Sequence, residues 1–193
     1  MAVIEANISM SVDGYVTGPD LDGHPGLGAG GEALHTWVWT QEGRALLADT
    51  FAASGAVVTS RRVYDATNGW EHEDGYYGMP VFVVTHRPHE PVTRGATTFT
   101  FVTGGVEATV RAAAAVAGER RVHIMGGASI VQQALRAGLV DRLSLHVAPL
   151  LLGAGTPLFD HLGGPVALTP LEPHHTADAT HLVYLVGRPP RAA

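Results

Sequence analysis

Arg121-Val-His-Ile-Met-Gly-Gly-Ala-Ser-Ile-Val-Gln-Gln-Ala-Leu135 changes its period half-way along. Val122, Ile124 and Met125 suit a covered strand, whereas Ile130, Val131, Ala134 and Leu135 recur at the spacing of one helical face. The switch falls on Gly126-Gly127, where glycine lets the backbone turn tightly and lets a ligand come close. The amides of Ala128, Ser129 and Ile130 are expected to lack intrahelical acceptors, and with the helix dipole they favour an anion such as a pyrophosphate. A plain strand-to-helix turn fits the same residues, so the rest of the chain has to discriminate.

Composition narrows the chemistry. The chain has 193 residues, 46% of them hydrophobic, which suits one globular domain over residues 1–193 with a substantial core. With no cysteine, disulfides, thiolate metal sites, iron–sulfur clusters and cysteine nucleophiles are excluded. The 12 basic residues are all arginine, which removes the lysine-dependent phosphate loop, Schiff-base chemistry and lysine bases. A net charge of −6 argues against nucleic acid as a partner but allows a local arginine cluster to hold one nucleotide. No apolar run reaches membrane-spanning length, and the first residues lead into a strand without a signal-like segment. No membrane partner and a cytoplasmic location are therefore expected.

Residues 2–9 read as a strand running into the turn dipeptide Asp13-Gly14. Two readings stand there: a simple hairpin, or a loop that reaches over a ligand with Asp13 and Tyr15. Residues 18–35 form a long connection rich in Gly, Pro and Asp. Its Gly26-Leu-Gly-Ala-Gly-Gly31 has the spacing of a dinucleotide fingerprint, but it follows Asp22-Gly-His-Pro25 and not an apolar strand, so it reads as a loop. Trp37, Val38 and Trp39 predict a hydrophobic anchor with at least one tryptophan in the core. Thr40 is placed to cap a helix through residue 53 that turns Ala45, Leu46, Ala48 and Phe51 toward the sheet.

Residues 56–59 form a short buried strand, and Ser60 caps the helix opened by Arg61-Arg62. Two arginines in a first turn oppose the helix dipole unless an anion sits there, with two solvated arginines as the alternative. His72, Glu73 and Asp74 lack the spacing of a metal site, so no metal is expected. Residues 80–85 form a central strand that leaves Thr85, His86 and Arg87 at its carboxyl end, the edge where open α/β sheets bind ligands. Strand 97–103 and helix 105–117 follow, and Gly138 caps the helix of the central stretch. In 142–148 strict alternation puts Leu143, Leu145 and Val147 on one face, residues 149–155 make a loop able to line a pocket, and strands at 166–168 and 179–186 close the chain. This order predicts an α/β protein of three αβα layers around a central mixed sheet.

Five segments carry a resemblance over nearly the whole chain: Ser9-Met-Ser-Val-Asp-Gly14, Val57-Val-Thr-Ser-Arg-Arg-Val-Tyr64, Val81-Phe-Val-Val-Thr-His-Arg87, Met125-Gly-Gly-Ala-Ser129, and Leu139-Val-Asp-Arg-Leu143 with Pro149-Leu-Leu-Leu-Gly153. In this order they resemble the dihydrofolate reductase-like superfamily, in the branch of the RibD C-terminal domain, the reductase part of bifunctional riboflavin-biosynthesis proteins. The resemblance implies a dihydrofolate reductase-like fold, NADPH binding and hydride transfer. Carried over by position, Gly126, Gly127, Ala128, Ser129 and Ile130 would hold the pyrophosphate. Arg61 and Arg62, flanked by Ser60 and Val63, would reach the adenosine-side phosphates, and Thr85, His86 and Arg87 would surround the ribose and its 2′-phosphate. Arginine forks suit that phosphate, which NADH lacks. Ala6 and the bend at Asp13-Gly14 would face the nicotinamide, with Asp13 as proton donor ahead of Tyr15 or Glu5.

Two positions depart from the family pattern: Ser60 stands where glycine is usual, and Val63 where threonine is frequent. Both bear on the choice between NADPH and NADH. The expected substrate is a small heterocycle or sugar imine, nearest to the 5-amino-6-(5-phosphoribosylamino)uracil of riboflavin biosynthesis. Two alternatives stay open. A dihydrofolate reductase would need a buried carboxylate on the first helix, for which Glu42 and Asp49 are the choices. A non-catalytic nucleotide-binding dimer would use the 142–148 strand as an exposed contact. A homodimer is expected for the enzyme too.

Overall fold

The computed structural model describes residues 1–71 and 76–187. In chain order the elements are β1 (Ile4–Ser11), β2 (Tyr15–Thr17), a 3-10 segment (Gly31–Trp39), α1 (Gln41–Ala53), β3 (Ser54–Ser60), α2 (Arg61–Ala66), β4 (Val81–Val84), β5 (Val92–Arg94) and β6 (Thr97–Val102). Then come α3 (Gly105–Ala117), β7 (Arg121–Gly126), α4 (Ala128–Arg136), β8 (Arg142–Ala148), β9 (Thr156–Pro157), β10 (Leu168–Pro170), β11 (His174–His175) and β12 (Thr180–Val186). The stretch from Arg121 to Leu135 is a strand and a helix joined at Gly127, as its change of period predicts.

The main sheet runs β10-β12-β8-β1-β7-β3-β4-β6-β5, with β11 also paired to β12. Its middle, β8-β1-β7-β3-β4-β6, is parallel, and β12 and β5 add antiparallel edges. The side chains of β1 divide by parity, as a pleated strand requires. Ile4, Ala6 and Ile8 join the larger core, with Val122, Ile124, Leu143 and Leu145 from the flanking strands and Val110, Ala113, Ile130 and Val131 from α3 and α4. Val57, Val81, Val83 and Phe99 point the other way into a smaller core with Tyr64 of α2, against which Phe51 of α1 packs. Helices on both faces make the three layers expected from the sequence.

Several local expectations need correction. The bend at Asp13-Gly14 does not make a hairpin: β2 pairs with β9 in a separate two-stranded sheet. In α1 only Gly43 is buried, Ala45 and Ala48 are exposed, and Leu46 and Phe51 are half-buried, because the helix lies beside the 3-10 segment more than over the sheet. Trp37 is buried while Trp39 is 72% exposed, so one tryptophan anchors this region. In β8 the alternation does not mark a free face. Leu143 and Leu145 face the larger core, Ser144 and His146 are buried on the other side, and β1 and β12 flank the strand, so it cannot be an exposed dimer contact. Gly138, at φ 62°, ends α4 with the amide of Leu139 bonded to the Ala134 carbonyl at 3.0 Å, the expected glycine cap. His72, Glu73 and Asp74 lie outside the described residues.

Candidate active site

Parallel strands ending side by side leave a crevice at their carboxyl edge, and here it is a cleft of about 710 Å³. Its walls come from the start of α2 (Ser60, Arg61, Arg62), the end of β4 (Val84, Thr85, His86, Arg87) and the start of α4 (Ser129, Ile130). The two helix starts expected to grip a phosphorylated ligand thus open onto one space. Gly127 brings them together: a Cβ added to it would stand 3.7 Å from the Ser60 hydroxyl. That hydroxyl accepts from the Val63 amide at 3.2 Å, so Ser60 caps α2 and Val63 supplies the capped amide.

Two arginines in one first turn are resolved differently. Arg61 donates to Asp65 at 2.6 Å, with its guanidinium 5.6 Å from the Phe101 ring centroid and 5.8 Å from that of Tyr64. Arg62 is exposed and, among the described residues, pairs with no carboxylate, as is also true of Arg87. The loop carrying Arg87 is set by Thr85, whose buried hydroxyl accepts from the Arg87 amide at 3.1 Å. At α4 the expectation of three free amides is reduced to two, since the Ile130 amide donates to the Gly127 carbonyl at 3.0 Å. The peptide between Gly126 and Gly127 is cis. Gly126 and Ala128 are buried and off the cleft wall. The cleft therefore combines a helix amide, an Arg62 and an Arg87 with no carboxylate partner among the described residues, and an Arg61 near two aromatic rings, a donor set suited to phosphate groups.

The profile of the RibD C-terminal domain family matches residues 2–182. The chain belongs to this family. No curated protein matches it by sequence. Among solved structures it is similar to a protein from Shewanella sp. PV-4 assigned by name to riboflavin biosynthesis, at TM-score 0.74 and 21% identity over 97% of this chain and 100% of the other. It is also similar to a pyrimidine reductase-like protein from Corynebacterium diphtheriae, at TM-score 0.64 and 16% identity over 97% and 93% of the two chains. A third is the Thermotoga maritima deaminase/5-amino-6-(5-phosphoribosylamino)uracil reductase, at TM-score 0.65 and 10% identity over 96% of this chain and 57% of that one. The dihydrofolate reductase-like arrangement is thus shared across sequences that have diverged widely.

Within this RibD C-terminal domain, the expectations near β1 change most. Ala6 has 0% of its surface exposed and packs in the larger core, so it cannot face a ligand. Asp13 does not suit proton donation. It accepts from Ser11 Oγ at 2.6 Å and from the amides of Gly153 and Leu152 at 2.7 and 3.1 Å. The Ser11 hydroxyl first, and then those two amides, hold its carboxyl below the usual carboxylate range, so at neutral pH it is an anion that latches the 149–155 loop. Gly14 turns this bend at φ 89°, and Tyr15 is half-buried on β2; neither lines the cleft. Glu5 is buried at the other end of the strand, in ion pairs with Arg121 and Arg142 at 2.9 and 3.2 Å, which makes it structural. Glu42 and Asp49 are both exposed, and Glu42 meets His174 at 2.8 Å. Neither is the buried carboxylate that a folate reductase reading needs.

Sequence reasoning missed one wall of the cleft. Leu21, Asp22, Pro25 and Gly26 line it from the 18–35 connection. Turn and loop, not a strand, run directly up to Gly26, so the glycine spacing there lacks the context of a dinucleotide fingerprint, yet the loop itself reaches the site. Its weak signal was its length, because long loops in compact domains are often functional.

Proposed function

We propose that this chain is an NADPH-dependent reductase that transfers a hydride to a small heterocyclic or sugar-imine substrate, nearest in kind to the 5-amino-6-(5-phosphoribosylamino)uracil reductases. The convergence of two helix starts and Arg62 and Arg87 on one cleft is the observation that supports it. The residues present fit the cofactor. The amide of Ser129 at the start of α4 suits the pyrophosphate, and Arg62 and Arg87 suit a 2′-phosphate, with Thr85 fixing the loop that carries Arg87. Bound there, NADPH would supply the hydride. The protein's part is to orient the cofactor and keep water from it, for which the 18–35 loop provides a wall. Family membership and the names of similar structures favour a heterocycle of the riboflavin route as substrate.

Calorimetry with NADPH and NADH on the wild type and on Arg62→Ala tests the reading. NADPH is expected to bind more tightly than NADH, and the variant to lose about tenfold to a hundredfold in NADPH affinity alone, in line with about 1.5–3 kcal/mol for a hydrogen bond to a charged group. Absence of NADPH binding would overturn it. Binding without oxidation by the aminouracil substrate would favour a non-catalytic nucleotide-binding protein, and oxidation with dihydrofolate would favour a folate reductase. Light scattering reads the expected homodimer.

A further inference from the structure

A second groove, of about 530 Å³, lies between the start of α3 and the end of α4. Glu107 and Arg111 line it from α3, and Gln133 and Arg136 from α4. Gly105 and Gln133 belong to the walls of both this groove and the cofactor cleft, so the two spaces meet there. Nothing divides them at Gly105. It has no side chain, and a Cβ built on it, at φ 81°, would meet no atom within 4 Å. Gln133 donates from its side-chain amide to the Ser129 carbonyl at 3.1 Å, a bond that holds it along its own helix.

The partners of the arginines single this groove out. Arg61, Arg121 and Arg142 meet carboxylates, and Arg94 and Arg120 donate to backbone carbonyls. Among the described residues the guanidinium groups of Arg44, Arg62, Arg87 and Arg136 have neither kind of partner. Arg62 and Arg87 line the cleft and Arg136 lines the groove, whereas Arg44 stands apart on α1. Arg111 is loosely held. Glu107 lies 3.4 Å from it, but the two side chains are 68% and 58% exposed, and water screens such a pair. Two guanidinium groups from different helices thus share one concave surface with a single carboxylate, in a protein whose net charge is −6. Gathering like charges in a groove is unfavourable until an anion joins them, and a phosphate has enough acceptor oxygens to engage both guanidinium forks.

We propose that Arg111 and Arg136 form a second phosphate-binding subsite, joined to the cofactor cleft at Gly105 and Gln133 and separate from the arginines assigned to NADPH. Its ligand is a phosphate group, carried either by a free phosphate compound bound beside the cofactor or by the adenosine end of the cofactor itself. The subsite stands on the groove and its arginines; only the identity of its neighbour as NADPH rests on the reductase reading.

Labelling of arginine by phenylglyoxal in the folded wild-type protein, followed residue by residue by mass spectrometry, tests the subsite, with Arg44 as internal control. The probe is inorganic pyrophosphate, alone and with saturating NADPH. At about ten times its dissociation constant it is expected to slow labelling of Arg111 and Arg136 about tenfold in both conditions, while Arg44 keeps its rate. That result assigns the groove to a separate phosphate compound. Slowing of Arg136 by NADPH without pyrophosphate, and not by NADH, also establishes the subsite and makes the cofactor the source of the phosphate. An unchanged rate at Arg136 in every arm overturns the proposal, and so does equal slowing of Arg44, which is general shielding by salt. Two variants separate the pair from its surroundings. In Arg136→Gln the protection of Arg111 is expected to be lost, and in Arg136→Lys to be partly kept; protection of Arg111 that survives Arg136→Gln overturns a shared ligand. The two readings fail separately: loss of the reductase reading shows as no NADPH binding in the wild type, where the pyrophosphate arm still reports on the groove, whereas loss of this one shows as an unprotected Arg136 in a protein that binds NADPH.

Discussion

Arg61 and Arg62 are adjacent in sequence, and the fold gives them different work. The Arg61 guanidinium lies between Asp65 and the rings of Tyr64 and Phe101, so part of its value is packing, while Arg62 stands in solvent at the mouth of the cleft. Arg61→Ala is expected to lower stability by about 1 kcal/mol, from a lost cation–π contact and a partly exposed ion pair, read as a shift in the urea midpoint. Arg62→Ala should leave that midpoint in place and change only cofactor affinity. Asp13 gives a second residue-scale prediction. Its folded pKa is depressed, so the latch on Leu152 and Gly153 is present above the ordinary carboxylate pKa and is lost as pH falls through the lower folded value. Carbon NMR of the Asp13 carboxyl should titrate below 3.8, and Asp13→Asn should expose the 149–155 loop to proteolysis at neutral pH. A titration at or above that value would restore Asp13 as a candidate acid.

At the scale of elements, caps and close approaches do most to place the site. Ser60 closes the first turn of α2, and Ser60→Ala is expected to cost about 1 kcal/mol while also loosening the arginines that follow, so stability and NADPH affinity should fall together. Gly43 is where α1 meets the 3-10 segment: a Cβ there would stand 1.8 Å from the Trp37 carbonyl oxygen. Gly43→Ala should therefore push α1 away from Trp37 at a cost of about 1–3 kcal/mol, visible as a lower melting temperature and a changed tryptophan emission. Elements of this kind were readable. Thr40, Ser60 and Gly138 are local signals, and each sits at the helix end it predicts. β5, β9 and β11 were not readable, because strands of two or three residues have no period and exist only through their partners.

For the molecule as a whole, the polar layer beneath the 3-10 segment sets a pH limit on stability. Burial, followed by the neighbouring His181, His123 and His35, pushes His146 down to about 3, and burial pushes His123 down to about 4. Both are neutral in the folded protein at pH values where the unfolded chain would already hold their protons. Their contribution is fully present above about 6.5, and it is lost progressively as pH falls from there toward 4 and 3. Each such histidine should add up to about 1.4 kcal/mol per pH unit to the slope of unfolding free energy in that window. Urea unfolding at pH 7, 6, 5 and 4 would show it, and a flat profile would mean that the histidines are exposed to solvent. Among the described residues no helix is long and apolar enough to cross a membrane.

The sequence by itself determined the layered α/β order, the helix starts at Ser60 and Gly127, and the strand end that leaves Thr85, His86 and Arg87 at the sheet's edge, because periodicity, capping and glycine turns act over a few neighbouring residues. Only the tertiary structure decided what lies across the sheet. Asn7, His123, His146 and His181 sit on four different strands and are drawn together by register alone, through pairings such as Ser9 with His146 and His146 with His181. The same register buried Ala6, turned Asp13 into a latch and closed both faces of β8. Contacts between distant segments depend on which strands pair and at what offset, and that choice belongs to the packed molecule rather than to any stretch of its chain.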